Sequence, residues 1–122
     1  RLHCVQASAC MPTVAAWRND NWTPDQVRPT VAGGVAVADP PRGKQVVDAI
    51  QQTEGVAVAV EEESIVEWQR ALAAEEGLFI EPTSATAFAG LGALVAQGTI
   101  QAMDTILVPI TGFGLKDRLP GG

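Results

Sequence analysis

Short apolar runs that stop on polar or glycine-bearing turns alternate along this chain with stretches of helical periodicity, and that alternation most limits the folds open to it. The apolar runs fall at residues 2–7, 31–38, 56–60, 78–81 and from 106 onward. Helical patterns fall between them, at residues 12–17, 44–53, 61–76 and from about 85 to the stop at Gly98. Strand and helix in regular alternation imply right-handed crossovers and a largely parallel sheet covered on both faces. The expected fold is α/β, a three-layer sandwich of five strands and four helices, with residues 1–122 forming one domain. A hydrophobic content of 47% is ample for its core.

Local signals sharpen this outline. Val56 to Val60 is apolar throughout, as in a strand covered on both faces. Glu61, Glu62 and Glu63 open the longest helix, where acidic side chains favour the positive end of the dipole without any catalytic role. Ile65, Trp68 and Leu72 follow at spacings of three and four and give that helix its core-facing stripe. The next helix is built of small residues. A glycine inside a helix costs about 1 kcal/mol against alanine, so Gly90 and Gly92 call for close packing onto the sheet. The Gly33–Gly34 pair inside an apolar run marks a bend or a close backbone approach.

Two runs end in a way that points to a site. Residues 106–110 are apolar and stop on Thr111, with Gly112-Phe113-Gly114 directly after; Leu78-Phe79-Ile80 stops on Glu81-Pro82. Ligands of open α/β sheets collect at the carboxyl ends of strands, which makes Thr111 and Glu81 the first candidates. Two roles are open to each: contact with a ligand, or capping of the adjacent turn and helix.

Other classes of function are excluded or disfavoured. The net charge is -6 and no Lys/Arg cluster occurs, which argues against a nucleic-acid partner. Cys4 and Cys10 lack the spacing of a zinc site or a disulfide framework, and His3 would project opposite Cys4, so no metal site is expected. Buried, reduced thiols fit a cytoplasmic protein. No run of about 18 apolar residues is present, so a membrane partner is not expected. The start at Arg1, without a Met, is expected to mark a piece of something longer.

Four segments taken together resemble the C-terminal part of threonine synthases, within the tryptophan synthase β-like, fold type II group of pyridoxal-phosphate enzymes. Val5-Gln6-Ala7 is similar to the family's strand after the phosphate loop, and Val31-Ala32-Gly33-Gly34-Val35-Ala36 to its Ala-x-Gly-Ile/Val segment. Glu81-Pro82-Thr83-Ser84-Ala85 resembles its Glu-Pro-x-Ser-Ala motif. Thr111-Gly112-Phe113-Gly114-Leu115-Lys116-Asp117 resembles its closing Thr-Gly-x-Gly-x-Lys motif. The four occur in the family's order and span nearly the whole chain.

The resemblance implies a partial tryptophan synthase β-like fold and pyridoxal 5'-phosphate as cofactor of the parent enzyme. It implies that Thr111 faces the pyridine nitrogen, with Gly112 and Glu81 as further cofactor-binding residues and the role of Glu81 open. A hydroxyl is too weak an acid to keep a ring nitrogen protonated, so the ring would be a milder electron sink. The implied reaction is conversion of O-phospho-L-homoserine and water to L-threonine and phosphate, by a cytoplasmic homo-oligomer such as a homodimer. The family's Schiff-base lysine and glycine-rich phosphate loop precede the region that matches. Neither Lys44 nor Lys116 corresponds to that lysine, so no catalytic residue is expected in this chain and no turnover by it alone. Lys116 stands between a place near the site and a solvated or capping role.

Two other readings remain. One is a threonine or serine dehydratase of the same fold; relatives of that kind usually carry Ser or Cys where Thr111 stands, and can bind a cation through a Glu-Thr-x-Ala-Asp-Gly-like segment. Here Pro29-Thr30-Val31-Ala32-Gly33-Gly34 lacks both acids. The other is a non-catalytic α/β interaction domain. Loss of neighbouring strands would leave an open edge and an apolar face, so self-association is expected.

Overall fold

The computed structural model describes residues 1–116 and places Cys4–Ala7 (β1) beside Ala57–Val60 (β2) as a parallel pair. Val5 lies opposite Val58 and Ala7 opposite Val60. Four helices surround the pair: Pro12–Arg18 (α1), Gly43–Gln52 (α2), Glu62–Glu76 (α3) and Pro82–Ala96 (α4). Successive strand residues point to opposite faces, so Val5, Ala7, Val58 and Val60 share one face and Cys4, Gln6, Ala57 and Ala59 the other. The first face packs against α4 with α3 beside it; the second packs against α1 and α2. This is the expected three-layer α/β sandwich with a parallel sheet.

Close packing of small residues holds the layers together. Gly90 of α4 passes so near β1 that a Cβ there would lie 2.2 Å from Val5 Cγ2. Between α3 and α4 the rings of Trp68 and Phe88 stack with centroids 6.3 Å apart. On the opposite face, Gln6 Oε1 accepts the backbone N–H groups of Thr13 at 2.9 Å and Val14 at 3.0 Å. Those donors belong to the first turn of α1 and have no partner within the helix, so a strand residue caps the helix that covers it.

The acidic triplet does more than complement a dipole. Glu61 is the N-cap position of α3 and Glu62 and Glu63 lie in its first turn, as expected. In addition, Glu61 Oε2 accepts the Ser8 hydroxyl at 2.7 Å and Glu62 Oε2 accepts the Val31 N–H at 2.7 Å. Two carboxylates thus tether the loops that follow β1 and precede residue 32.

Three expected strands are not strands among the described residues. The run at 31–38 forms a 3-10 turn at Gly33–Val35, with Ala32 buried beneath it. The run at 78–81 contributes one antiparallel bridge, Ile80 to Phe113. Residues 106–110 have no regular structure, and Leu107 is 93% exposed. An apolar run becomes a strand only where neighbours take up its N–H and C=O groups and cover both faces. Among the described residues nothing does so for 106–110, and Pro109 lacks a donor altogether. Thr111 is therefore delivered by an irregular surface segment and not by the end of a buried strand.

Candidate functional site

Two backbone hydrogen bonds flank the Ile80–Phe113 bridge and fasten the closing segment to the start of α4. Gly114 N–H donates to the Phe79 carbonyl at 2.9 Å, and Glu81 N–H donates to the Gly112 carbonyl at 3.0 Å. Glu81 occupies the N-cap position of α4, with extended backbone, and Pro82 follows in the first turn, where a missing N–H is harmless. Its carbonyl accepts Ala85 N–H at 3.0 Å, but its side chain makes no capping bond. The carboxylate turns toward Thr111 and Lys116 instead.

The result is a cluster of four side chains. Thr111 N–H donates to Ser84 Oγ at 3.0 Å, and Ser84 Oγ lies 3.2 Å from Thr111 Oγ1. The Thr111 hydroxyl donates to Glu81 Oε1 at 3.3 Å, and Lys116 Nζ forms an ion pair with Glu81 Oε2 at 2.7 Å. Glu81 and Ser84 are buried, whereas Thr111 is exposed. Gly112 is part of the same packing: a Cβ there would stand 2.5 Å from Glu81 Cδ. The hydrogen bond from Lys116 holds the Glu81 carboxyl below the ordinary range against the burial that pushes it up, and the lysine charge and the Thr111 hydroxyl act in the same direction as that bond.

The structure brings Thr111, Gly112 and Glu81 into contact. It adds Ser84 and Lys116, to which the sequence alone assigns no definite role. A signal for Ser84 was present in its spacing: three residues after Glu81 in a helix places it on the same first-turn face. Lys116 resolves into the ion pair, while Lys44 pairs with Asp48 at 2.8 Å on the exposed side of α2. Asp117, the last residue of the closing motif, lies outside the described residues.

The other motif segments converge on the same place. Gly34 N–H donates to Thr83 Oγ1 at 3.0 Å, joining the turn at 33–35 to the start of α4. Ala7, Ala32, Ile80 and Ala85 share one core cluster beneath. An open cleft of about 470 Å3, lined by residues including Thr13, Asp20, Trp22, Asp39 and Lys44, lies apart and is lined by none of the four clustered side chains.

Comparison with known proteins follows the same outline. Residues 1–112 match the family described as pyridoxal-phosphate dependent enzyme. The chain is 38% identical to threonine synthase of Methanocaldococcus jannaschii over 115 residues, covering 93% of this chain and 28% of the relative. It is 35% identical to threonine synthase of Methanosarcina acetivorans over 115 residues, with the same coverage. It therefore spans little more than a quarter of the length of the curated relatives it matches. In fold it is similar to a threonine deaminase from T.th., with a TM-score of 0.62 at 21% identity, covering 97% of this chain and 41% of that one.

Proposed function

The chain belongs to the pyridoxal-phosphate dependent enzymes, and on that premise we propose that it is the cofactor-ring side of a threonine synthase-like lyase. The parent enzyme would convert O-phospho-L-homoserine and water to L-threonine and phosphate. The choice of reaction rests on sequence relatives at 38% and 35% identity, both threonine synthases. The likeness to threonine deaminase is one of fold and does not favour dehydration.

The observation that carries the site is the Thr111 hydroxyl, exposed yet fixed by Ser84 and Glu81. Thr111 Oγ1 gives its proton to Glu81 and can accept one from Ser84, which leaves one lone pair on its open side. An exposed hydroxyl suits a heteroaromatic ring nitrogen, to which it can donate by turning its proton from Glu81, so Thr111 would meet the ring, with Glu81 and Gly112 behind it. The bound cofactor supplies an electron sink for elimination and replacement at the β and γ carbons. The chain's own contribution is orientation: Ser84 fixes the backbone and hydroxyl of Thr111, and Lys116 fixes Glu81.

Both lysines of the chain are committed to carboxylates, Lys44 to Asp48 and Lys116 to Glu81, which supports the reading that neither attacks the cofactor aldehyde and that this chain has no turnover alone. Among the described residues no helix is long and apolar enough to cross a membrane. The free thiols Cys4 and Cys10 fit a cytoplasmic setting, and the exposure of Met103 and Leu107 fits burial in a homo-oligomer of the parent. A phosphorylated amino acid is the expected partner; nucleic acid and membrane are not.

The test is an assay of the parent protein for phosphate and threonine from O-phosphohomoserine, beside 2-oxo acid release from threonine. Phosphate and threonine in equal amounts support the reading, and release of a 2-oxo acid as the sole activity overturns it. In this chain, titration with pyridoxal phosphate followed by borohydride should label no lysine stoichiometrically. A stoichiometric adduct on Lys44 or Lys116 would show a self-sufficient site.

A further inference from the structure

The peptide group between Ile80 and Glu81 is held at both ends, and one of its partners lies outside the four-residue cluster. Glu81 N–H donates to the Gly112 carbonyl at 3.0 Å, and Gly114 N–H to the Phe79 carbonyl at 2.9 Å. These bonds flank the Ile80–Phe113 bridge, so the Ile80 carbonyl points away from the closing segment. In a wider sheet a third strand would take up that carbonyl. Here Gln69 of α3 does so, with Nε2 donating to the Ile80 carbonyl at 2.7 Å. The acceptor fixes the orientation of the amide, because only its nitrogen end can donate. Gln69 is 2% exposed, and this orientation leaves its Oε1 buried with no hydrogen-bond partner among the described residues. A buried acceptor without a partner costs stability, so packing alone gives no reason for a glutamine at this point of α3. What the glutamine adds is a fixed peptide plane.

We propose that Gln69 is a positioning residue for Thr111, acting through the Ile80–Glu81 peptide and Gly112. The inference rests on the cofactor-binding role given to Thr111 and deepens it: α3 contributes no side chain to the cluster, yet sets where the hydroxyl stands. A hydrogen bond to the carbonyl end of a peptide polarises it and strengthens the donor at its N–H end. That N–H holds the carbonyl of Gly112, the residue next to Thr111. On the other side Ser84 Oγ accepts the Thr111 N–H at 3.0 Å. Thr111 is thus fixed from both directions, by α4 through Ser84 and by α3 through Gln69. Loss of the Gln69 amide takes this partner from the Ile80 carbonyl, loosens the peptide plane and lets Gly112 and Thr111 drift.

The test uses the full 122-residue chain without cofactor, so it is independent of the cofactor assignment. NMR follows exchange at Glu81 N–H and the resonances of the Gly112 carbonyl and Thr111 Cβ. Ser8 N–H, which donates to the Val60 carbonyl at 2.8 Å, reports on the rest of the fold. Gln69→Met keeps the length of the side chain and removes the donor. Exchange at Glu81 N–H is expected to quicken about fivefold relative to Ser8 N–H, with the Gly112 and Thr111 resonances displaced in the folded state. A glutamine serving only stability would quicken both amides by the same factor and leave Thr111 in place, and that result overturns the proposal. Should Gln69→Met fail to fold, Gln69→Glu decides, because its carboxyl can donate only while protonated. Burial pushes the new carboxyl above the ordinary range, whereas Glu81 is held below it, so the two titrations are separate. Gly112 and Thr111 are expected to shift with the upper titration, and resonances flat through it overturn the proposal. Should Thr111 follow residue 69 in a protein whose parent binds no pyridoxal phosphate, the positioning stands and the proposed function falls.

Discussion

Thr111 and Glu81 are 30 residues apart in sequence and share a hydrogen bond of 3.3 Å, made possible by the backbone bond from Glu81 N–H to the Gly112 carbonyl beside it. The contact couples a surface hydroxyl to a buried carboxylate. It also places a charged group under the residue proposed to meet the cofactor, which gives the site a pH dependence of its own.

That dependence has a definite sign. The Glu81 carboxyl is held below its ordinary value of 4.5 by the hydrogen bond from Lys116, so the folded chain binds this proton less readily than the unfolded one. Its contribution to stability is complete above the ordinary glutamate range and is lost as the pH falls through the folded value. Glu81→Gln is expected to flatten the stability profile in that acidic window while costing at most about 1 kcal/mol at pH 7, because the paired lysine is 66% exposed. Urea unfolding at a series of pH values checks both parts; a profile with unchanged slope in the variant would contradict them.

Gly112→Ala puts a methyl group where Glu81 Cδ now lies 2.5 Å from the ideal Cβ position. The Glu81 carboxylate or the closing segment must move, and the Thr111 contact goes with it. Overpacking of this kind costs about 1–3 kcal/mol. Chemical denaturation should show the loss, and NMR of Thr111 should show a changed hydroxyl environment. A variant as stable as the wild type with Thr111 unmoved would mean that Glu81 has room to spare.

The layer order and the four helices were legible in the sequence, since helical periodicity and turn residues report on local conformation; Glu81 and Thr111 were singled out by the ends of their apolar runs, and Gly112 by the resemblance of its motif. Residues 106–110 were not legible. Their β-branched apolar character is that of a buried strand, yet strand formation depends on neighbours that periodicity does not reveal. Among the described residues the segment is irregular and mostly exposed. Ser84 and Lys116 escaped for a related reason: a serine in a helix's first turn and a lysine after a glycine turn have ordinary capping and solvated roles, and only the fold brings each to Thr111 or Glu81.

Gln6→Ala is expected to weaken α1. The side-chain oxygen of Gln6 satisfies two first-turn donors, Thr13 N–H and Val14 N–H, and alanine leaves both without that partner. Loss of a cap costs about 1 kcal/mol. Amide exchange should quicken at Thr13 and Val14 first, and a uniform change across the chain would contradict a local cap.

Gly90→Ala sets two effects against each other. Alanine is the better helix former by about 1 kcal/mol, which alone would stabilise α4. The added Cβ, however, would lie 2.2 and 2.5 Å from the two methyl carbons of Val5, inside any real carbon contact, and β1 is held in register with β2 behind it. Relief requires α4 to move off the sheet, at about 1–3 kcal/mol, so the net effect is destabilising. Trimming the obstructing side chain in Val5→Ala, Gly90→Ala should recover stability relative to the sum of the single changes, since residues in contact do not act additively. A double-mutant cycle read by urea denaturation decides: a coupling near zero would show that Gly90 is tolerated in α4 for a reason other than its contact with Val5.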